Sequence, residues 1–294
     1  PCETTILEID SFTMSHWIER LYLERLETKY KAIEIQLVES KHDWEAVLFW
    51  QIAKNFGLKV NGDAFSSIAK SMDFSVIRKS QHDIFQLETL FFGQSGLLET
   101  DAQDIYISDL IENYKFLKNK FSFTNEGVLP VQFFRLRPPN FPTIRLGQLA
   151  NLYSQQTNLF SKLMEARSLE ELYAIFEGGT SKFWETHYTF EKTSKSVPKK
   201  FTKSFINLLI INTIVPIKFA FNKFNRHANQ EDVVAIIQKI PMEHNSIVDK
   251  FHSLYAFGKT ALDSQALIQL KQNYCSKNKY LQCAIGSVLL NRNS

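Results

Sequence analysis

Three arginines lie in a short segment that prolines make rigid, which we call the arginine segment (residues 134–145). Its arginines and prolines are Arg135, Arg137, Arg145, Pro138, Pro139 and Pro142. A proline fixes its own φ and moves the residue before it away from helical geometry, so the arginines are partly pre-organised. A planar guanidinium can donate two parallel hydrogen bonds to a phosphate or a carboxylate. The segment therefore predicts a site for an anion.

Two interpretations of the arginine segment fit the sequence. In one, Arg135, Arg137 and Arg145 pair with acidic residues and clamp two helical halves together. In the other, they bind phosphate together with Asn140 and the N-terminus of a helix that Thr143 is expected to open. Unpaired N–H groups and the helix dipole favour an anion at such an end. The sequence leaves both interpretations open.

A second basic stretch, which we call the lysine segment (residues 189–203), reads as a mobile loop. It contains Lys192, Lys195, Lys199, Lys200 and Lys203 with Ser194, Ser196 and Pro198. Such a charge run is often simply solvated. The alternative is a nucleic-acid surface on which lysines contact the backbone and aromatic rings stack on bases. The candidate ligands are Lys199, Lys200 and Lys203, and the candidate rings are Trp184, Tyr188, Phe201 and Phe205.

Catalytic motifs are missing from the sequence. No pair of the seven histidines forms the His-Glu-x-x-His motif, and the chain has neither a glycine-rich phosphate loop nor a Gly-x-Ser-x-Gly sequence. His187 is the one histidine that we consider as a base, and a structural hydrogen bond is its alternative role. We therefore assign no catalytic residue, no cofactor and no enzymatic activity to this chain alone.

Composition indicates a helical globular protein. Of 294 residues, 44% are hydrophobic, and only 10 glycines and 8 prolines stand against 25 phenylalanines. The net charge of +3 does not require a polyanionic partner, so any basic surface must be local. Three cysteines, Cys2, Cys275 and Cys283, predict a reducing, cytoplasmic location. No signal peptide opens the chain, and its start at Pro1 suggests a fragment.

One apolar run, residues 205–221, raises the question of a membrane span. It contains Asn207, Asn212, Pro216 and Lys218, and a spanning helix needs about 20 mostly apolar residues. We therefore predict a buried core helix and no membrane contact. Pro216 should disturb this helix because it lacks a backbone donor.

Apolar residues recur at three- and four-residue spacing along most of the chain, which predicts an all-α fold of about a dozen helices. The first helix starts near Thr13, Asp43 caps a second that ends in a left-handed Gly57, and Asp63 starts a third. We expect two helical halves, residues 1–125 and 126–294, that pack together as one unit. The irregular arginine segment should lie between them.

Several phrases occur together in a familiar order. They are DSFT (10–13), AKNFG (53–57), LFFGQSG (90–96), residues 135–145, THY (186–188), INT (211–213), NSI (245–247) and DSQA (263–266). The whole resembles the helical C-terminal part of a bacterial family that is classified only as a domain of unknown function. The resemblance implies a further N-terminal segment, similar to restriction-endonuclease-like folds, that this chain lacks.

The resemblance also implies a cysteine pattern, Cys-x4-Cys-x2-Cys, near the C-terminus. Cys275 and Cys283 match its outer positions, Tyr280 replaces the middle cysteine, and Cys2 matches a further one. A zinc or iron–sulfur site would thus lack one of four thiolates. We predict no bound metal, with Cys2, Cys275 and Cys283 as the candidate ligands.

Two function classes are favoured by these observations. The first is a non-catalytic helical module that binds nucleic acid or another phosphate-bearing ligand beside a nuclease-like neighbour in the same protein. The second is a protein–protein interaction scaffold whose arginines are structural. An enzyme acting on a phosphorylated small molecule is the least supported class, because no set of acid, base and nucleophile emerges.

Overall fold

A computed structural model describes residues 6–101, 104–226 and 231–291 of the chain. Within these ranges the chain forms fifteen α-helices and no β-strand, so the prediction of an all-α fold is confirmed. Four 3-10 turns accompany the helices: Ile6–Glu8, Pro138–Asn140, Cys275–Lys277 and Tyr280–Gln282.

The helices are numbered in chain order. They are α1 Ser11–Glu39, α2 Trp44–Phe56, α3 Leu58–Lys70, α4 Phe74–Ser80, α5 Ile84–Gln94, α6 Ile105–Phe121, α7 Pro142–Gln155, α8 Leu159–Glu165, α9 Leu169–Ile175, α10 Lys182–Glu185, α11 Lys203–Phe224, α12 Glu231–Gln238, α13 Ser246–His252, α14 Ala261–Asn273 and α15 Ala284–Asn291.

Aspartates cap several helix starts. The Asp43 carboxylate accepts hydrogen bonds from the N–H groups of Glu45 and Ala46, which confirms its predicted role. Such a cap stabilises a helix by about 1 kcal/mol. The predicted start at Asp63 is wrong because α3 already begins at Leu58.

The junction of α2 and α3 also differs from expectation. Gly57 has a right-handed φ of −67°, and the left-handed residue is Leu58 with a φ of 55°. A glycine is still required at position 57, since a Cβ there would lie 2.3 Å from the carbonyl oxygen of Asn61. Helix α2 therefore ends where the backbone at Gly57 packs closely against the Asn61 carbonyl, and Gly57 is not left-handed.

The described chain divides into two compact units. The first comprises Pro1–Ile35, Arg167–Leu169 and Val215–Ser294, and the second comprises Gln36–Ala166 and Glu170–Ile214. The sequence boundary at residue 125, like the whole arginine segment, lies inside the second unit. The halves 1–125 and 126–294 were predicted from sequence patterns, whereas the two units are defined by contacts between residues. The predicted halves therefore stay a prediction.

The core of the second unit centres on Phe49 of α2. Its ring lies 5.7, 5.8 and 5.1 Å from the rings of Phe74, Phe91 and Tyr153, which come from α4, α5 and α7. Each fully buried side chain of this kind contributes about 1.5–3 kcal/mol. Burial of all residues from Pro142 to Tyr153 fixes α7 and hence the position of its N-terminus.

Helix α11 contains the apolar run that the sequence analysis singled out. It is the one described helix whose length and composition would suit a membrane span, but 72% of its most apolar window is buried within the protein. Such burial is typical of the core helix of a soluble protein. A π-helical turn, Ile210–Ile214, precedes Pro216, which cannot donate a backbone hydrogen bond.

Candidate functional site

The arginine segment starts with an exposed, unusual turn. The Leu136 N–H donates to the Phe133 carbonyl over 3.2 Å, and Arg135 occupies the third turn position with a φ of 61°. Glycine or asparagine is preferred there, and another residue costs about 1–2 kcal/mol. The Arg135 guanidinium carbon lies 5.1 Å from the ring centre of Phe134, which is 75% exposed. The turn thus presents a cation and an aromatic ring together.

The three arginines fall into two groups. Arg135 and Arg137 are exposed, whereas Arg145 is only 8% exposed. Among the described residues, none of the three forms an ion pair with a carboxylate. The acidic partners that a clamp would need are therefore not found there.

Arg145 is held by amides and an aromatic ring. Its guanidinium donates to Asn140 Oδ1 over 2.6 Å and to Gln148 Oε1 over 2.9 Å, and its central carbon lies 3.8 Å from the ring centre of Phe205. Its buried Nε has no hydrogen-bond partner in the described structure. Burial lowers the Arg145 pKa to about 10, so the group keeps its charge at neutral pH.

The helix N-terminus differs in detail from the prediction. Helix α7 begins at Pro142, one residue before Thr143, and its N-cap residue Phe141 offers no side-chain cap. The Thr143 hydroxyl donates to the Tyr188 carbonyl over 2.5 Å. Thr143 therefore ties α7 to the loop before the lysines and does not cap the helix.

Lys199 is also engaged inside the protein. Its ammonium donates to the Glu185 carbonyl over 2.8 Å and lies 4.2 Å from the ring centre of Tyr188. Burial lowers its pKa, and the Glu185 charge opposes the shift. Lys200 and Lys203, by contrast, are exposed.

Helix α7, whose first turn ends the arginine segment, contacts both the lysine segment and α11. The Gln148 side-chain amide donates to the Lys199 carbonyl over 2.8 Å, and Arg145 stacks on Phe205 two residues after Lys203. A Cβ on Gly179 would lie 3.1 Å from the Lys199 carbonyl oxygen, so the glycine also permits the close approach of the lysine segment. Residues that are distant in sequence thus adjoin in one unit.

The predicted stacking rings are mostly part of the core. Trp184 is fully buried and Phe205 is 4% exposed, so neither can stack on a base. Tyr188 and Phe201 are half-buried. Within the arginine segment, Phe134 is an exposed ring beside a cation, and its place directly before Arg135 could have indicated this.

His187 has structural contacts. Its Nδ1 lies 3.0 Å from both the Phe183 carbonyl oxygen and the Thr186 hydroxyl, and its ring stacks on Phe183 at 4.0 Å. These contacts match the structural role that the sequence analysis gave as the alternative to a base.

A buried acid, Glu88 of α5, was not among the predicted site residues. Its Oε2 accepts a short hydrogen bond from the Tyr106 hydroxyl. Ser181 Oγ and Trp184 Nε1 are near its carboxylate, but these atoms and Glu88 Oε1 make no hydrogen bond of normal geometry. Burial raises the Glu88 pKa to about 7, and hydrogen bonds from Tyr106 oppose the shift. The sequence feature that could have indicated this buried acid is a single glutamate within the apolar stretch LETLFF (87–92).

The candidate metal ligands do not form a metal centre in the described structure. Cys2 lies outside the described residues, Cys283 is buried and Cys275 is half-buried. No group of three or more histidine, cysteine, aspartate or glutamate side chains suited to a metal occurs among the described residues. Cys275, Tyr280 and Cys283 all line one cavity of the first unit.

Comparison with known proteins identifies the family. Residues 1–246 match the family described as "Protein of unknown function (DUF2851)". The chain belongs to the DUF2851 family. Neither curated proteins nor solved structures gave a match. The DUF2851 match includes both basic segments and ends before Cys275 and Cys283, so the cysteine pattern lies outside the matched residues.

Proposed function

We propose that this DUF2851 chain binds nucleic acid, or another phosphate-bearing ligand, at the surface where the arginine and lysine segments meet. The observation that supports the proposal is that α7, where the arginine segment ends, contacts the lysine segment through the Gln148–Lys199 hydrogen bond and α11 through the Arg145–Phe205 stack. Basic groups that carboxylates do not neutralise attract phosphates and are the usual basis of nucleic-acid affinity.

The basic residues divide into contacts and supports. Arg135, Arg137, Lys200 and Lys203 are exposed, and we assign them to the phosphates. Arg145, Asn140 and Lys199, which the sequence analysis also considered as ligands, are half-buried or buried and hydrogen-bonded within the unit. We assign these three to positioning the two segments.

The exposed ring of Phe134 favours a single strand. Each base that stacks on an aromatic side chain gains about 1–3 kcal/mol, and paired bases within a duplex are not available for such stacking. The nearby Arg135 guanidinium adds a cation to the same turn. We therefore propose a preference for single-stranded over duplex nucleic acid.

The wider setting is proposed from the resemblance. A bacterial, cytoplasmic protein in which a nuclease-like segment does the chemistry would use this chain to hold its substrate, and the chain itself would be non-catalytic. The alternative is a protein–protein scaffold with structural arginines. The amide contacts of Arg145 suit that alternative, whereas the exposed Arg135 and Arg137 favour nucleic acid.

Fluorescence anisotropy with a labelled oligothymidylate, and with a duplex of the same length, tests the proposal. Replacing Phe134 with alanine should weaken single-strand binding roughly tenfold through the lost stacking and leave duplex binding nearly unchanged. Replacing Arg135 and Arg137 with glutamine should weaken both.

The matched control replaces Lys79 and Lys115 with glutamine. These lysines are exposed on α4 and α6, outside both basic segments, and their loss removes the same charge. A DUF2851 chain that binds neither probe, or whose control variant loses as much affinity as the arginine variant, would contradict the proposal. Equal losses would mean that net charge alone drives binding.

A further inference from the structure

The first unit contains an apolar cavity of about 420 Å³. Its walls come from α13, α14, the two last 3-10 turns and the start of α15. The apolar lining includes Ile6, Ile247, Phe251, Leu254, Leu270 and Ile285. Pockets of roughly 300–1,000 Å³ with mainly apolar walls are typical of small-molecule sites.

Among the described residues that line this cavity, the charged ones all have one sign. Lys250, Lys271 and Lys279 contribute to its lining, and none of the fourteen lining residues is an aspartate or glutamate. All three lysines are exposed residues, so their ammonium groups can remain solvated while their stems cover the apolar wall. The cavity therefore combines an apolar interior with a cationic margin.

The tyrosines do not change this charge pattern. The Tyr274 hydroxyl donates to Glu24 Oε2 over 2.7 Å, and the Tyr280 hydroxyl donates to Asn278 Oδ1 over 2.8 Å. Both hydroxyls are thus occupied, and the rings add to the apolar walls. Glu24 belongs to a neighbouring surface and not to this lining.

The turn that carries Lys279 and Tyr280 has a fixed place. A Cβ on Gly286 of α15 would lie 2.1 Å from the Tyr280 carbonyl oxygen, so the turn packs directly on the helix backbone. The Lys279 N–H also donates to the Tyr274 carbonyl over 3.0 Å. These two contacts fix the position of the turn and hence of Lys279 at the margin of the cavity.

We propose that this cavity binds a single-chain amphiphile with an anionic head group. The apolar chain would occupy the interior, and a carboxylate or phosphate head would lie near Lys271 and Lys279. A nucleic-acid backbone does not suit these apolar walls, so this site is separate in chemistry from the surface proposed above. Cys275 and Cys283 then serve as small apolar wall residues.

Calorimetric titration with decanoate and with decanol tests the head-group preference. The two probes share a chain length and differ in charge, so decanoate should bind more tightly. Replacing Lys271 and Lys279 with glutamine should weaken decanoate binding roughly 3- to 10-fold and leave decanol unchanged, as expected for exposed charge pairs. Equal affinity of the two probes for the native chain would overturn the proposal.

Two further variants locate the binding. Replacing Lys239 and Lys277 with glutamine removes the same charge from exposed residues outside the lining and should leave decanoate affinity unchanged. Replacing Leu254 with tryptophan fills the cavity and should abolish binding of both probes, with helical circular dichroism as the check of folding. Decanoate binding that survives this change in a folded chain would contradict the cavity site.

Vesicles distinguish a lipid surface from a soluble amphiphile. Flotation with vesicles of phosphatidylcholine and phosphatidylglycerol should leave the chain in the unbound fraction, since the cavity accepts one chain from solution. Flotation with the vesicles together with no response to decanoate would overturn the proposal in favour of a membrane-surface role.

Discussion

Arg145 and Glu88 are two buried charged groups of the second unit, and they respond differently to the loss of water. Both are less than a tenth exposed, and neither forms an ion pair in the described structure. Burial lowers the Arg145 pKa to about 10, so it stays charged, but it raises the Glu88 pKa to about 7, so it can become neutral. A buried arginine therefore carries its charge at any ordinary pH, whereas a buried glutamate carries it only at high pH.

The surroundings of the two groups follow this difference. Two amide oxygens and the face of Phe205 surround the Arg145 guanidinium. The Glu88 carboxylate has one good donor, the Tyr106 hydroxyl. A cation with only neutral partners links α7 to α11 through Phe205, and we expect it to add positive potential to the proposed phosphate surface.

The largest effect is expected for Arg145→Ala. The change leaves Asn140 Oδ1 and Gln148 Oε1 without their donor and removes the stack on Phe205, which together should cost about 4 kcal/mol of unfolding free energy. Arg145→Met also leaves both acceptors without a donor but keeps apolar contact with Phe205, so it should lose less than Arg145→Ala. Urea unfolding of both variants measures the difference, and equal losses would mean that packing against Phe205 contributes nothing to stability.

Glu88→Gln should show the next largest effect, and it should depend on pH. In the wild-type chain the folded-state pKa is raised above the unfolded value, so the folded state holds its proton more tightly and stability falls as pH rises from about 4.5 to about 7. Above that window the variant should be more stable by about 3 kcal/mol.

Urea unfolding at acid and alkaline pH provides the check. Below about pH 4.5 both chains carry a neutral group at position 88, so their stabilities should agree. A wild-type chain whose stability relative to Glu88→Gln is the same at both pH values would contradict the buried-acid account.

Two changes at Asn140 test whether Arg145 is a buried cation without a counter-charge. Asn140→Ala removes the acceptor of the 2.6 Å hydrogen bond and should cost about 1–2 kcal/mol. Asn140→Asp supplies a carboxylate at the same place and should stabilise the chain by about 1 kcal/mol. Thermal melts at neutral pH rank the three chains, and a destabilising aspartate would show that Arg145 already has a counter-charge.

The sequence predicted the helices well, because apolar spacing and a capping aspartate such as Asp43 act over a few residues. The arginine segment, which the sequence also singled out, stays a predicted site. The sequence could not separate exposed Arg135 from buried Arg145, since that difference depends on contacts of Arg145 with Gln148 and Phe205 that arise only on folding. For the same reason, the pairing of Glu88 with Tyr106 was not visible.

The smallest expected effect concerns the strained turn. Arg135→Gly places the residue type preferred at a positive φ, so the chain should become more stable by up to about 1 kcal/mol. The same change removes a proposed phosphate contact and should weaken oligothymidylate binding. Thermal melting measures the stability, and fluorescence anisotropy measures the affinity for oligothymidylate. A variant that gains stability without losing affinity would show that Arg135 is not part of the proposed phosphate-binding surface.

The central claim is that exposed arginines of the arginine segment contact phosphates, and the salt dependence of oligothymidylate binding tests it most directly. Each lost phosphate contact on a single strand lowers the slope of log affinity against log salt by about 0.7, so Arg135→Gln/Arg137→Gln should flatten it by about 1.4. Lys79→Gln/Lys115→Gln should retain the native slope. An unchanged slope in the arginine variant would contradict the claim.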